Sequence, residues 1–245
     1  MFAGVVAQLV PWPTKTVFVL MALLLAISLV VVGTESETER KSTRDLLPHK
    51  GLTKRDKRVV IAGLGAFGPG MTAAGIVLAL SPTLLNGISE TSGPLGAGLI
   101  AGGMYAVSPI AQSLARRLHS LAHIRFSMVL IALAMCIFGA AMTQQSLWFL
   151  ILSAVLIGAG QGISNLGSFG LIHQEVDEDS VPGATALLSL GTYAAASVVP
   201  LAGGYLIDLT GLPIASLCMA SGVALMVAVG FVFARQSYID QTRSA

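Results

Sequence analysis

Apolar residues fall in seven long blocks, at 16–33, 59–80, 94–115, 126–142, 147–172, 182–207 and 212–234. No charged residue interrupts any of them. A helix of about 20 apolar residues crosses the hydrocarbon layer of a bilayer. Strict alternation of apolar and polar positions is absent, so no strand is predicted. The blocks therefore predict seven transmembrane helices, α1 to α7 in chain order, and an all-α fold, a polytopic membrane helix bundle. Between α4 and α5 stand only Thr143, Gln144, Gln145 and Ser146, which predicts a tight antiparallel hairpin.

Small and polar residues are spread unevenly among the blocks. They are sparse in α1, α4 and α7 and frequent in α2, α3, α5 and α6. A span poor in them suits a lipid-facing position, and one rich in them suits close packing or a wet interior. The pattern is one outer helix and two inner ones, repeated.

The richest block contains GAGQGISNLGSFG, starting at Gly158. Gln161, Asn165 and Ser168 fall at i, i+4 and i+7, on one helical face. Gly158 and Gly162 form a GxxxG pair, which lets another helix backbone approach. Helix α3 repeats the idea with Tyr105, Ser108 and Gln112, and α6 offers Thr185, Ser189, Thr192 and Tyr193. Gly68, Pro69 and Gly70 predict a bend in α2. Each polar stripe has two readings, packing between helices or lining of a substrate path. The path candidates are Gln161, Asn165, Ser168, Tyr105, Gln112, Thr192 and Tyr193.

Composition agrees with a lipid environment. Charged residues make up 11%, hydrophobic ones 54%, and the mean hydropathy is +0.81. A soluble domain carries roughly 25% charged residues. The net charge is only +2, so its distribution says more than its total. Of the 14 Lys and Arg, all but Lys15 fall in the loops after α1 and α3 or in the C-terminal tail. The positive-inside rule puts those segments in the cytoplasm and the N-terminus outside. The same charges argue against α1 as a cleaved signal peptide, since cleavage would leave the basic loop on the wrong side. The expected cell-membrane protein is multi-pass, with lipid as its surroundings. Its organisation reads as 1–33, the end of a truncated helix plus α1; 34–58, a basic cytoplasmic loop; 59–234, a six-helix bundle; and 235–245, a cytoplasmic tail. The apolar residues 1–10 end at Pro11 and Pro13 and read as the tail of a helix whose start lies outside the chain.

Other chemistry is excluded or bland. Cys136 and Cys218 lie inside apolar blocks and read as small hydrophobes, not a disulfide. Residues 173–179, HQEVDED, lack the alternating oxygens and Gly turn of a calcium loop and read as a solvated turn, so no metal is expected. Gly158 to Gly162 is no dinucleotide fingerprint, because no strand precedes it. Nothing suggests an enzyme or a cofactor. The basic loop is read as a topology signal that touches anionic lipid, not nucleic acid.

These residues resemble a known family. The stretch MYAVSPIAQSLARR, from Met104 to Arg117, resembles the end of helix eight and its basic turn in the major facilitator superfamily, without that turn's Asp and Gly. The stretch PLAGGYLIDLTG, from Pro200, resembles the small-residue end of helix eleven. It also matches the helix-five antiporter motif at Pro200, Gly203 and Gly204, with Val199 where a Gly is expected. Glu175 followed by Gly183 resembles the turn between helices ten and eleven, whose usual Arg is absent. In that family helices six, nine and twelve are peripheral, which is where α1, α4 and α7 would fall. The chain thus resembles the six-helix C-terminal half of such a transporter, with one extra helix before it. The resemblance implies alternating access between two halves, 3+3 inverted repeats within each half and a substrate site near the midplane. It also implies gating or topological roles for Arg116, Arg117 and Glu175.

The expected function is therefore transport of small organic molecules, as efflux, by a chain that represents an incomplete transporter. The lack of Asp, Glu, Lys and Arg in the spans leaves no proton relay. A coupling carboxylate would have to come from a missing N-terminal half or a second protomer. Two alternatives remain open at this stage, a seven-helix receptor and a non-functional fragment. Helix α7 has no Lys for a retinal Schiff base, and the three-helix period has no place in a receptor.

Overall fold

The structure is a computed structural model that describes residues 12–34, 52–88, 93–117 and 120–244. Residues 1–10 and most of the basic loop at 34–58 lie outside the described residues. Among the described residues seven helices follow in order: α1 Pro13–Thr34, α2 Lys54–Ile88, α3 Gly93–Ala115, α4 Ser120–Gln144, α5 Leu147–Glu175, α6 Val181–Thr210 and α7 Leu212–Ser244. A 3-10 turn, Glu178–Ser180, leads into α6. No strand occurs among the described residues.

Each apolar block becomes one helix, and several helices overrun their blocks. Helix α2 starts early because Thr53 and Asp56 form a reciprocal cap. The Thr53 N–H donates to Asp56 Oδ2 at 2.9 Å, and the Asp56 N–H donates to Thr53 Oγ1 at 3.2 Å. Helix α7 runs on to Ser244, past the expected boundary at 234, because neither Gly nor Pro interrupts it there. The hairpin between α4 and α5 is as tight as expected: Gln145 takes a φ of 51° and the Ser146 N–H donates to Ala141 O. Helix α6 ends at Gly211, whose φ of 81° suits a residue without Cβ. Its N–H closes the last turn onto Ile207 O at 2.8 Å.

Five helices, α2, α4, α5, α6 and α7, are long and apolar enough to cross a membrane. Helix α1 spans 22 residues and α3 spans 23, and neither is among those five in the described residues.

Helices α2 and α5 form the centre. Helix α2 packs on α5, α6, α7 and α4, and α5 packs on α4, α3 and α2. The pairing has an internal symmetry. Helix α2 meets α6 as α5 meets α3, and α2 meets α7 as α5 meets α4. This is the relation expected of two three-helix repeats, α2–α4 and α5–α7. The core between them holds Phe138, Ile131, Met128, Leu150 and Ile157, all fully buried. Phe67 and Phe169 meet edge to face across α2 and α5, with centroids 5.8 Å apart.

Burial departs from the expected inner and outer sets at two helices. Helix α4, expected at the periphery, has 50% of its spanning window buried, because α5 and α7 cover it. Helix α6, expected inside, has only 17% buried, against 72% for α2. Helix α1 exposes apolar side chains all around, from Phe18 to Val31. Both tryptophans, Trp12 before α1 and Trp148 at the start of α5, are exposed, and the Lys15 ammonium lies 5.5 Å from the Trp12 ring centroid. Cys136 and Cys218 are free and exposed on helix surfaces.

Candidate substrate path

The GxxxG pair on α5 faces α3. A Cβ on Gly158 would overlap the Met104 carbonyl, and one on Gly162 would come within 2.5 Å of Ser108 O. The two helices are in backbone contact there, as the small-residue spacing predicts. Helix α2 makes similar contacts on two sides. Gly65 and Gly230 join α2 to α7 backbone to backbone. Gly75 receives Ala196 O and Pro200 of α6, each 3.1 Å from the position of a Cβ. Pro200 has no N–H for the Ala196 carbonyl, so that carbonyl is free to lean on Gly75. Pro69 stands in the same relation to the Gly65 carbonyl.

The remaining glycines divide. Gly70 is wedged against Gln161 and Ser164 of α5, and Gly203 against the Met219 thioether of α7. Gly68 and Pro69 are buried within α2. Gly204 has no atom within 4 Å of a Cβ position, so it makes no close packing contact here.

The polar stripe on α5 also divides. Ser168 is fully buried and its Oγ donates to Gly63 O of α2 at 2.9 Å. That hydroxyl serves packing. Gln161 is 7% exposed; its Nε2 donates to Met71 Sδ at 3.0 Å, while its Oε1 has no partner. Asn165, one turn on, is half-buried. On α3 the Gln112 amide reaches back to Ser108 Oγ at 3.4 Å. Thr192 of α6 is fully buried with its Oγ1 unpartnered, and so is Thr72 of α2.

Tyr105 and Tyr193 differ from these. They are 45% and 57% exposed, near the middles of α3 and α6. Neighbour relations then order the walls as α3, α5, α2, α6, with the tyrosines on the two flanks. An apolar groove of about 570 Å³ lies elsewhere, between α6 and α7, and holds none of the path candidates.

At the other end of the bundle, Glu175 closes α5 and pairs with Arg55 near the start of α2, Nη2 to Oε2 at 2.9 Å. Arg55 supplies from α2 a guanidinium that the turn after Glu175 lacks. Arg116 and Arg117 are exposed in the turn after α3. His123, which the sequence did not single out, is buried in the first turns of α4. Its Nε2 donates to Ala115 O at 2.6 Å and ties the end of α3 to α4. No group of metal-ligating side chains occurs among the described residues.

A family model described as Major Facilitator Superfamily matches residues 62–245. No curated relative and no solved structure matches the chain. The match takes in most of α2 and every helix after it, the six that build the two repeats. The chain belongs to the Major Facilitator Superfamily, a family of membrane transporters.

Proposed function

We propose that the chain carries small, neutral organic molecules out of the cell, with α3, α5, α2 and α6 as one wall of the path. The observation behind this reading is the pair Tyr105 and Tyr193, exposed at mid-span on the two flanking helices. Substrate sites of such transporters lie near the midplane. The low burial of α6, a helix rich in small and polar residues, supports the same reading: its open face suits a second six-helix half. Gln161, Asn165, Gln112 and Thr192 are the further path residues of the proposal. Arg55, Glu175, Arg116 and Arg117 lie on the cytoplasmic side. None of the seven apolar blocks contains Asp, Glu, Lys or Arg, so the coupling group belongs to the opposite wall.

Accumulation of a neutral lipophilic dye, Nile red, in cells that also make the opposite wall, with and without this chain, tests this. Expression lowers accumulation, and Tyr105→Ala with Tyr193→Ala removes the effect at equal protein level. Unchanged accumulation on expression, or a double variant that matches the parent, refutes the reading. The purified chain alone in liposomes transports nothing; robust transport there would remove the need for an opposite wall.

A further inference from the structure

Buried polar groups normally find partners, and an amide left half-satisfied is destabilising. Gln161 is such a group. Its Oε1 is buried without a partner, and its Nε2 rests on the thioether of Met71, a weak acceptor. The other buried hydroxyls of its helix are committed: Ser164 donates to Gln161 O, Ser153 to Leu150 O and Ser168 to Gly63 O. Gln161 therefore holds the one unsatisfied side-chain atom among the buried residues described in α5. Backbone on the α3 side and Gly70 on the α2 side crowd this part of α5. The amide reaches across to Met71 of α2. That side chain is half-buried, on the part of α2 between α5 and α6. Methionine is unbranched and repacks easily.

We infer that Met71 is a displaceable cap over Gln161, and that the uncovered amide selects ligands with an adjacent hydrogen-bond donor and acceptor, such as carboxamides. A carboxamide can take both halves of the Gln161 amide at once, Oε1 accepting and Nε2 donating. An ester of the same shape offers no donor and leaves Oε1 unpaired. Sites built around such pairs reject the analogue that lacks one of them. This inference rests on the proposed path, because it places a ligand on the same wall.

The test is binding to the full chain in lipid nanodiscs, with the lactam isoindolin-1-one as the amide, whose N–H and C=O point the same way, and phthalide as its ester counterpart of the same shape. The lactam binds about tenfold more tightly than phthalide, the size of one buried hydrogen bond. Gln161→Leu brings the ratio to about one. Met71→Leu keeps the volume and removes the acceptor, and it raises lactam affinity a few-fold. Equal binding of the two compounds by the parent chain overturns this inference alone. So does an amide preference that survives Gln161→Leu. Binding of neither compound overturns this inference and the path itself. Gln161→Asn, which keeps the amide on a shorter stem, retains part of the preference if the leucine variant fails to fold.

Discussion

Replacing Gly158 by Ala places a methyl group where α5 touches the α3 backbone. The Cβ would overlap the Met104 carbonyl oxygen and stand 3.0 Å from its carbon and 3.2 Å from Met104 Cα. Carbon contacts settle near 3.5–4.0 Å, so the helices must part by roughly 1 Å. The obstacle is backbone, which cannot rotate away as a side chain can. Overpacking of this kind costs about 1–3 kcal/mol. Parting the seam also loosens Gly162 from Ser108 and uncovers Met104, now 1% exposed. In lipid no hydrophobic force restores the contact, since helix association there depends on packing and hydrogen bonds. Alanine returns up to about 1 kcal/mol through helix propensity. The net loss is then about 1–2 kcal/mol, or about 2–8 °C in Tm for a domain of this size. Thermal unfolding in detergent, followed by the loss of monodisperse protein on size exclusion, measures it. Gly103→Ala on α3 is the control, because nothing lies within 4 Å of its Cβ position; it leaves Tm unchanged or slightly higher. A Gly158→Ala protein within 1 °C of the parent would refute backbone contact between α3 and α5.

Four further outcomes follow from the same geometry. Ser168→Ala removes the hydrogen bond to Gly63 O and lowers stability by about 0.6–1.7 kcal/mol, the range for interhelical bonds in membranes, read in the same melt. Asp56→Ala removes one arm of the cap on α2 and costs about 1 kcal/mol; hydrogen exchange of the first turn of α2 rises while that of α5 does not. In a double-mutant cycle, Arg55→Glu and Glu175→Arg show a coupling of about 0.2–1 kcal/mol that shrinks with added salt, because the pair is exposed. Gly211→Ala forces a side chain into a φ of 81° and lowers Tm by a few degrees, about 1 kcal/mol, whereas Gly204→Ala does not.

The helices were legible because an uninterrupted apolar run of spanning length has few other uses. The GxxxG pair was legible as a close contact, but its partner was not: nothing in the spacing of Gly158 and Gly162 names α3. Local pattern also misjudged burial. Helix α6 carries the residues of an inner helix, yet within the described structure only 17% of its spanning window is buried. Sequence tells what a face is suited to meet, and packing decides whether that neighbour is present. The Arg55–Glu175 pair joins residues 120 positions apart, a distance no local pattern spans. The cap at Thr53 and Asp56 was visible as a T-x-x-D spacing, but it sits among Lys54, Arg55, Lys57 and Arg58, and was read as part of a charged loop. Gln161 and Ser168 looked equivalent on one stripe. Only their partners separate them, one hydroxyl satisfied by a carbonyl and one amide left half-satisfied.

The two exposed tryptophans carry a practical consequence. If successive helices cross in alternation, α1 and α5 begin at the same face, so Trp12 and Trp148 stand at one membrane boundary. The chain has no other tryptophan. Its intrinsic fluorescence is then a built-in beacon for that single leaflet. A quencher attached to lipid headgroups on that side dims it, and the same quencher on the opposite side leaves it bright. The unmodified protein can thus report which way it has inserted, with no tag to disturb the insertion being measured.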